Sequence, residues 1–257
     1  TSRVARTLAG QDVLVRILVV KNEGHRHLNI LRKTSTGRNT FLSNNHCLPM
    51  LAEVVLEDIV FGVFPKAYGS LELAFESWTK NSVGDILDML LQALEALCFI
   101  HNLGIAHRDA FIDNFLIQWN PESLCTMKIS PSRPRVYLID FEFAIEFPDN
   151  TLPSECVSIG YPLDDVVQSQ DNLGYGRPIP PEVDSGHPYN PFKLDIWQLG
   201  DGLREFKTTI ASIDEVLESF ICENPNDRMN ATEALHKLQS VVHSMTPLSL
   251  LIPFPEI

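Results

Sequence analysis

The chain has 257 residues, of which 44% are hydrophobic and 21% charged, and its formal net charge is −13. This length and hydrophobic content are enough for a packed core in one large domain or two lobes, which excludes a disordered chain. Because nucleic acids and anionic membranes bind basic surfaces, the acidic balance argues against both as partners.

The five cysteines indicate a reducing compartment. They are scattered, odd in number and without Cys-x-x-Cys spacing, which is typical of reduced thiols in an intracellular protein. The chain shows no signal peptide, no transit segment and no run of 18 apolar residues. We therefore predict an intracellular, cytoplasmic protein with no membrane partner. Since the first residue is Thr1 rather than Met, we expect the natural amino terminus to lie upstream.

The first 66 residues predict a small antiparallel sheet with one helix. Val- and Ile-rich runs predict strands at 3–8 and 12–20, and a hairpin of strands at 51–56 and 59–64. Between them, residues 24–33 place Leu28 and Leu31 on one helical face. Residues 65–69 then break the periodicity and predict a connecting segment.

The rest of the chain is predicted to be mainly helical. A long apolar helix starts after Ser82, a residue suited to an N-cap, and ends before Gly104. Short strands at 115–117 and 135–139 flank a polar insertion at 119–134. Further helices are predicted from Asp195, over 213–221 and over 231–242, and the apolar tail over 247–257 carries three prolines.

The residues from His107 to Asn114 spell H-R-D-x-x-x-x-N, and they predict a catalytic loop. In this arrangement the Asp accepts the proton of an attacking hydroxyl, and the Asn five residues later holds a magnesium ion on the nucleotide phosphates. Asp109 is thus the candidate base and Asn114 a candidate metal ligand. Asp140, which ends the apolar run Leu138-Ile139, is the candidate second metal ligand.

Three further segments follow in a fixed order. They are Pro180-Pro181-Glu182, the D-x-W-x-x-G run from Asp195 to Gly200, and Arg228. Together with the two preceding motifs, they resemble the eukaryotic protein kinases over residues from about 51 to 238. The chain is similar in particular to the divergent kinase-like proteins of basidiomycete fungi.

This resemblance implies an α+β, bilobal protein-kinase-like fold that binds ATP and Mg²⁺ and acts on a protein substrate or partner. The implied small lobe spans residues 1–66, the large lobe 67–242 and a tail 243–257. The resemblance places Arg16 at the phosphate-pairing position of the small-lobe strand, Phe64 at the gatekeeper position, and Pro65, Lys66 and Ala67 in the hinge that meets adenine.

The resemblance also implies roles for residues that are not ligands. Arg108 is the residue type that clamps a phosphorylated side chain of the activation segment at 140–182. The hydroxyl acceptors considered in that segment are Thr151, Ser154, Ser158, Tyr161 and Tyr175. Glu182 and Arg228 are expected to form a buried salt bridge, and Asp195 is expected to anchor the backbone of the catalytic loop.

Five departures from the family pattern bear on activity. Phe111 stands where the catalytic loop has Lys, Tyr175 replaces the Thr that meets that Lys, and Glu142 replaces the Gly of D-F-G. His27 stands where the small-lobe helix has its Glu, with Glu23 one turn earlier as a substitute partner for Arg16. No glycine-rich loop precedes the strands, and the sequence leaves open whether it lies upstream.

Three functions therefore remain open from the sequence. The first is a protein Ser/Thr kinase, for which the set of Asp109, Asn114 and Asp140 is complete. The second is a pseudokinase scaffold, which the departures favour. The third is a small-molecule phosphotransferase of the choline- or aminoglycoside-kinase type, because those enzymes share the I-D-F-E strand and the D-x-x-x-x-N loop.

Overall fold

The computed structural model describes residues 2–77, 81–118, 134–165 and 175–253. Most of the predicted insertion at 119–134, the middle of the activation segment at 166–174 and the tail beyond residue 253 lie outside the described residues.

The small lobe is a four-stranded antiparallel sheet in the order β1-β2-β4-β3. Its strands are β1 (Ser2–Arg6), β2 (Asp12–Val20), β3 (Ala52–Leu56) and β4 (Ile59–Pro65). Val- and Ile-rich sequences suit such pleated strands because their branched side chains pack well on a sheet. The register pairs Arg16 with Gly62 across β2 and β4, which places the Arg16 side chain on the face that looks toward the large lobe. All four predicted strands are present.

Helix α1 (His25–Ser35) packs against this sheet and starts one residue after the predicted start. Gly24 precedes it with φ +91°, and a Cβ there would lie 2.0 Å from the Leu18 carbonyl oxygen, so this close approach requires glycine. The predicted face is correct, since Leu28 and Leu31 are buried in the core.

The large lobe is built around helix α3 (Val83–Asn102), whose apolar side chains are almost completely buried. Ser82 is its N-cap as predicted, and it forms a capping box with Asp85. The other helices are α2 (Leu71–Ser77), α4 (Pro181–Asp184), α5 (Pro191–Asp201), α6 (Ala211–Glu218) and α7 (Ala231–His243). Among the described residues, no helix combines the length and apolar character needed to cross a bilayer.

Short strands flank the predicted catalytic loop and the residues around Asp140. Strands β5 (Gly69–Ser70), β7 (Phe115–Ile117) and β8 (Val136–Leu138) form one antiparallel sheet, and β6 (Ile105–Ala106) pairs with β9 (Ile145–Glu146). The segment between β6 and β7 and the segment after β8 therefore lie side by side.

Several helices differ from the sequence predictions, and α4 (Pro181–Asp184) was not predicted at all. Helix α5 starts at Pro191, four residues before Asp195, because the Asn190 side chain accepts the backbone N–H of Phe192 at 2.9 Å and Pro191 suits the first helical position. The helix predicted over 213–221 is α6 followed by a 3₁₀ turn at Ser219–Ile221. Helix α2 was not predicted.

The predicted salt bridge between Glu182 and Arg228 is present. Arg228 Nη1 lies 2.6 Å from Glu182 Oε1, and the Arg228 side chain is completely buried. Its Nε and Nη2 atoms also donate to the Cys222 carbonyl oxygen. The pair therefore fastens helix α4, at the end of the activation segment, to the core of the large lobe.

Candidate active site

The catalytic loop brings Asp109 and Asn114 into direct contact. Asn114 Nδ2 donates to Asp109 Oδ2 at 2.7 Å and to the Asp109 carbonyl oxygen at 2.8 Å. Both side chains are buried, and the loop between them closes in a 3₁₀ turn at Ile112–Asn114. With Nδ2 engaged in this way, the amide oxygen of Asn114 is the atom suited to ligate a cation.

Asp195 fixes the start of this loop from helix α5. Its carboxylate accepts the backbone N–H of His107 at 2.8 Å and of Arg108 at 2.6 Å, and also contacts His101 Nε2 at 2.8 Å. Arg108 has φ +66°, a conformation that costs free energy unless its surroundings impose it. Gln198, one turn later on α5, completes the support by accepting from the Ala110 N–H at 2.8 Å. This is the anchoring that the sequence predicted for Asp195.

Asp140 lies two residues after the end of β8, and the residue before it pairs with the catalytic loop. The backbone N–H of Ile139 donates to the Asn114 carbonyl oxygen at 3.0 Å, and His107 Nε2 lies 2.8 Å from the Ile139 carbonyl oxygen. Asp140 itself has φ +65°. The structure therefore joins Asp109 and Asn114 by a side-chain contact, and it places Asp140 one residue after Ile139, whose backbone pairs with Asn114.

Arg16 reaches this place from the small lobe. Its Nη2 atom donates to Asp140 Oδ1 at 2.8 Å and to Glu142 Oε1 at 2.5 Å. Asp140 and Glu142 raise the pKa of the Arg16 guanidinium, although its burial opposes this. In the part of the chain that the structure describes, the ion pairs of Arg16 go to these two carboxylates and not to Glu23, the substitute considered from the sequence.

His27 occupies the helix α1 position that carries Glu in the family pattern. It is 7% exposed, and burial, followed by the nearby Arg16, lowers its pKa from 6.5 to about 4. It is therefore uncharged at neutral pH. Because a neutral imidazole cannot balance the charge of Arg16, the carboxylates of Asp140 and Glu142 do so.

The Asp109 carboxylate has the environment of a general base. Burial raises its pKa, while nearby His107 and Arg177 act against the rise. The hydroxyl of Tyr175 donates toward Asp109 Oδ1 at 3.0 Å, and Arg177 Nε lies 3.6 Å from the same oxygen. A raised pKa brings a carboxylate closer to the range in which it accepts a proton efficiently.

Tyr175, one of the departures seen in the sequence, contacts this carboxylate, and Phe111, another, lies two residues after Asp109 in the loop. The Tyr175 hydroxyl is also within hydrogen-bond distance of the Arg108 carbonyl oxygen and of Gln198 Nε2. Burial, with the Asp109 charge, raises its pKa, so it stays protonated. Phe111 is 5% exposed.

Sequence reasoning missed Arg177. Its Nη2 lies 2.8 Å from Asp113 Oδ2, and its guanidinium carbon lies 5.0 Å from the centre of the Phe111 ring. Arg177 stands two residues after Tyr175, so the signal in the sequence was a cation beside the position whose Thr meets the catalytic-loop Lys in the family pattern.

Arg108, the predicted phosphate clamp, is completely buried. Its Nη2 donates to the backbone carbonyl of Tyr161 at 3.3 Å, so it contacts the activation segment itself. Of the predicted acceptors, Ser158 is 8% exposed and the Tyr161 hydroxyl donates to Asp184 at 2.6 Å. The role of Arg108 as a phosphate clamp remains a prediction.

A cavity of about 50 Å³ lies between the lobes. Phe64 lines it with the apolar side chains of Leu14 and Leu116, and Arg16 and Asp140 supply its polar side. The predicted hinge residues Pro65, Lys66 and Ala67 continue from the end of β4 outside this lining, and Lys66 is exposed. The cavity has room for a few water molecules.

The donor set is suited to magnesium held partly by phosphate. Among the described residues, no three His, Cys, Asp or Glu side chains cluster tightly enough to bind a metal alone. Mg²⁺ usually takes one or two protein oxygens and completes its shell with water and phosphate oxygens. Asn114 Oδ1 and the Asp140 carboxylate match that requirement.

The chain is similar in sequence to known protein kinases. The chain is 29% identical over 110 residues to the serine/threonine-protein kinase ppk8 of Schizosaccharomyces pombe, and 26% identical over 153 residues to the Aurora kinase of Yarrowia lipolytica. These alignments cover 42% and 60% of this chain, but only 17% and 31% of the two relatives. No protein-family model matches the chain.

Among solved structures, the chain is similar to the crystal structure of the Rad53 kinase domain and SCD2. The TM-score is 0.62, the sequence identity is 18%, and the match covers 99% of this chain and 89% of that one. This similarity confirms the predicted bilobal α+β fold.

Proposed function

Because this chain is a member of the protein kinase-like superfamily, we propose that it transfers the γ-phosphate of ATP to a Ser or Thr hydroxyl of a protein. The observation that carries the proposal is the contact between Asp109 and Asn114 beside Asp140. This contact joins the candidate base to one candidate magnesium ligand, and the second candidate ligand follows Ile139, whose backbone pairs with Asn114; both features support a phosphoryl-transfer site.

In the proposed reaction Asp109 accepts the proton of the acceptor hydroxyl. The bond between the γ-phosphorus and the bridging oxygen of ATP breaks, a bond from the acceptor oxygen to phosphorus forms, and ADP leaves. Asn114 and Asp140 would hold magnesium, which supplies charge neutralisation at the phosphates when it is bound. Arg16 would bind phosphate oxygens from the small lobe, where a guanidinium provides several donors.

The test uses the purified protein, radiolabelled ATP and a mixture of generic protein acceptors. We expect magnesium-dependent label transfer that falls by about 10² or more in Asp109→Asn, since the base is lost. Asp58→Asn, at an exposed position of the β3–β4 turn, is the matched control and should transfer at the wild-type rate. Transfer that is unchanged in Asp109→Asn would contradict the proposal.

A second candidate function is a pseudokinase, and the ion pair of Arg16 with Asp140 favours it. A permanently charged guanidinium already neutralises the carboxylate that would ligate magnesium. The pseudokinase would bind nucleotide without turnover. A ligand at 100 times its Kd stabilises the protein by about 2.7 kcal/mol, so thermal stabilisation by ATP without label transfer would select this function.

The same assay separates the small-molecule phosphotransferase. Choline and an aminoglycoside replace the protein mixture as acceptors. Transfer to these alcohols with none to protein would select that class and reject the protein kinase.

A further inference from the structure

The catalytic loop lacks the cation that the family pattern has two residues after the candidate base. Position 111, which carries Lys in the family pattern, is Phe, and its ring is buried with 5% exposure. A transferred phosphoryl group carries negative charge on its equatorial oxygens, and preorganised positive groups stabilise that charge.

Arg177 places a guanidinium at this position from another part of the chain. Its carbon lies 5.0 Å from the centre of the Phe111 ring, and its Nη2 lies 2.8 Å from Asp113 Oδ2. Its Nε lies 3.6 Å from Asp109 Oδ1. Ring, carboxylate and candidate base therefore define the position of the guanidinium on three sides.

The same contacts leave Arg177 able to bind a ligand. One third of its side chain is exposed, and a guanidinium has five N–H donors, more than its two carboxylate contacts use. The pair with Asp113 is itself partly exposed, 33% and 31%, and such pairs contribute little to stability. A role in folding alone therefore does not account for the arrangement.

We propose that Arg177 supplies, from the activation segment, the cation that contacts the transferred phosphoryl group beside Asp109. This inference rests on the proposed phosphoryl transfer and adds a catalytic residue to it. Phe111 then acts as a platform that holds the guanidinium by a cation–π contact. Because the cation comes from the segment that ends at Glu182, the site is complete only when that segment lies on the catalytic loop.

The experiment measures three variants against the wild type. Two are the single substitutions Arg177→Ala and Arg177→Lys, and the third carries both Phe111→Lys and Arg177→Ala. We expect kcat to fall by about 10² to 10³ in Arg177→Ala. The double variant returns a cation to the catalytic loop and should recover most of that loss. Arg177→Lys keeps the charge and should fall between the wild type and Arg177→Ala.

Arg204→Ala is the matched control. Arg204 also lies over an aromatic ring, that of Trp197 at 5.8 Å, and pairs with a carboxylate, Asp201 at 2.6 Å. It lies outside the proposed site, so its removal should leave kcat unchanged. Circular dichroism and the melting temperature establish that each variant is folded.

A second readout separates failure of this inference from failure of the proposed function. Arg177 at the γ-phosphate should make ATP stabilise the wild type more than ADP does, and Arg177→Ala should lose that difference while keeping the ADP effect. If the wild type shows this preference and Arg177→Ala loses it, but no label is transferred, phosphoryl transfer is wrong and the Arg177 contact stands.

Three results would overturn the inference. The first is an Arg177→Ala variant that keeps both the kcat and the ATP preference of the wild type. The second is a loss of kcat in folded Arg177→Ala that the added Phe111→Lys substitution does not recover. The third is equal stabilisation of the wild type by ATP and by ADP.

Discussion

Arg16 of strand β2 lies 2.8 Å from Asp140, which stands two residues after the end of strand β8. One contact thus joins the small lobe to the candidate metal ligand of the large lobe. Glu142 extends it, since its Oε1 lies 2.5 Å from the same Nη2 atom. Two departures from the family pattern, His27 and Glu142, therefore compensate for each other. Helix α1 lacks the carboxylate of the family pattern, and Glu142, two residues after Asp140, supplies one to Arg16.

Arg16→Gln should weaken ATP binding. The substitution removes the positive charge that would meet the phosphates from the small lobe, and a hydrogen bond to a charged group is worth about 1.5 to 3 kcal/mol. We therefore expect the Kd for ATP to rise about 10- to 100-fold in a thermal-shift titration. The control is Arg32→Gln, which breaks a pair with Glu53 on the outer surface of the small lobe. An unchanged Kd in Arg16→Gln would remove Arg16 from the nucleotide site.

Asp195→Asn should loosen the catalytic loop. The Asp195 carboxylate accepts the N–H groups of His107 and Arg108 and is completely buried. An amide has only one accepting oxygen, and each buried donor left without an acceptor costs about 1 to 3 kcal/mol. We expect a lower free energy of unfolding in urea and a lower kcat, with little change in the Kd for ATP.

Asp201→Asn provides the comparison for Asp195→Asn. Asp201 lies at the end of the same helix and pairs with Arg204, whose side chain is half exposed. Its substitution should change neither kcat nor the Kd for ATP. If Asp195→Asn kept the wild-type kcat, the anchoring role would be wrong.

The sequence predicted those parts of the site that depend on residue type at fixed spacing. Asp109 and Asn114 lie five residues apart in one loop, so their contact follows from local geometry. The Glu182–Arg228 pair was also predictable, because the resemblance names both partners. The strand and helix predictions for the small lobe follow from apolar periodicity, which packing in the folded chain preserves.

The parts that were missed depend on where distant segments meet. Arg177 is separated from Phe111 by 66 positions, and nothing in the local sequence reports that its side chain lies over that ring. The partners of Arg16 were open for the same reason, since Glu23 is near in sequence whereas Glu142 is near only in space. The predicted start of helix α5 was four residues late because it was taken from the D-x-W-x-x-G motif, which begins at Asp195. The residues that start the helix are the N-cap Asn190 and Pro191.

Arg228→Leu should destabilise the large lobe. The substitution leaves Glu182, whose side chain is 11% exposed, without its partner 2.6 Å away. Removing one partner of a buried pair typically costs about 3 to 5 kcal/mol. The measurement is the free energy of unfolding from urea denaturation.

Lys207→Ala is the control for Arg228→Leu, because Lys207 pairs with Glu218 at the same distance of 2.6 Å but on the surface. Exposed pairs contribute little, so this variant should unfold close to the wild-type midpoint. A similar loss in both variants would show that burial does not decide the strength of the Glu182–Arg228 pair.

Acidification should destabilise the protein through His27. Burial lowers its pKa in the folded state to about 4, against 6.5 in the unfolded chain. Between these values the unfolded chain binds a proton that the folded state does not, so stability is full above about pH 6.5 and falls as the pH drops toward 4. The difference corresponds to about 2 to 4 kcal/mol. Urea denaturation at half-unit steps from pH 7.5 to 4 measures it.

His27→Gln isolates this contribution. The variant should show a shallower loss of stability between pH 6.5 and 4 than the wild type, because the residue that titrates has been removed. Asp109, whose pKa burial raises, acts in the opposite direction, and burial of His46 adds a loss of the same sign. Both are present in wild type and variant, so they cancel in the difference between the two curves.

His236→Gln, at an exposed position of α7, controls for loss of one histidine. Parallel curves for wild type and His27→Gln would show that His27 is not held uncharged beside Arg16.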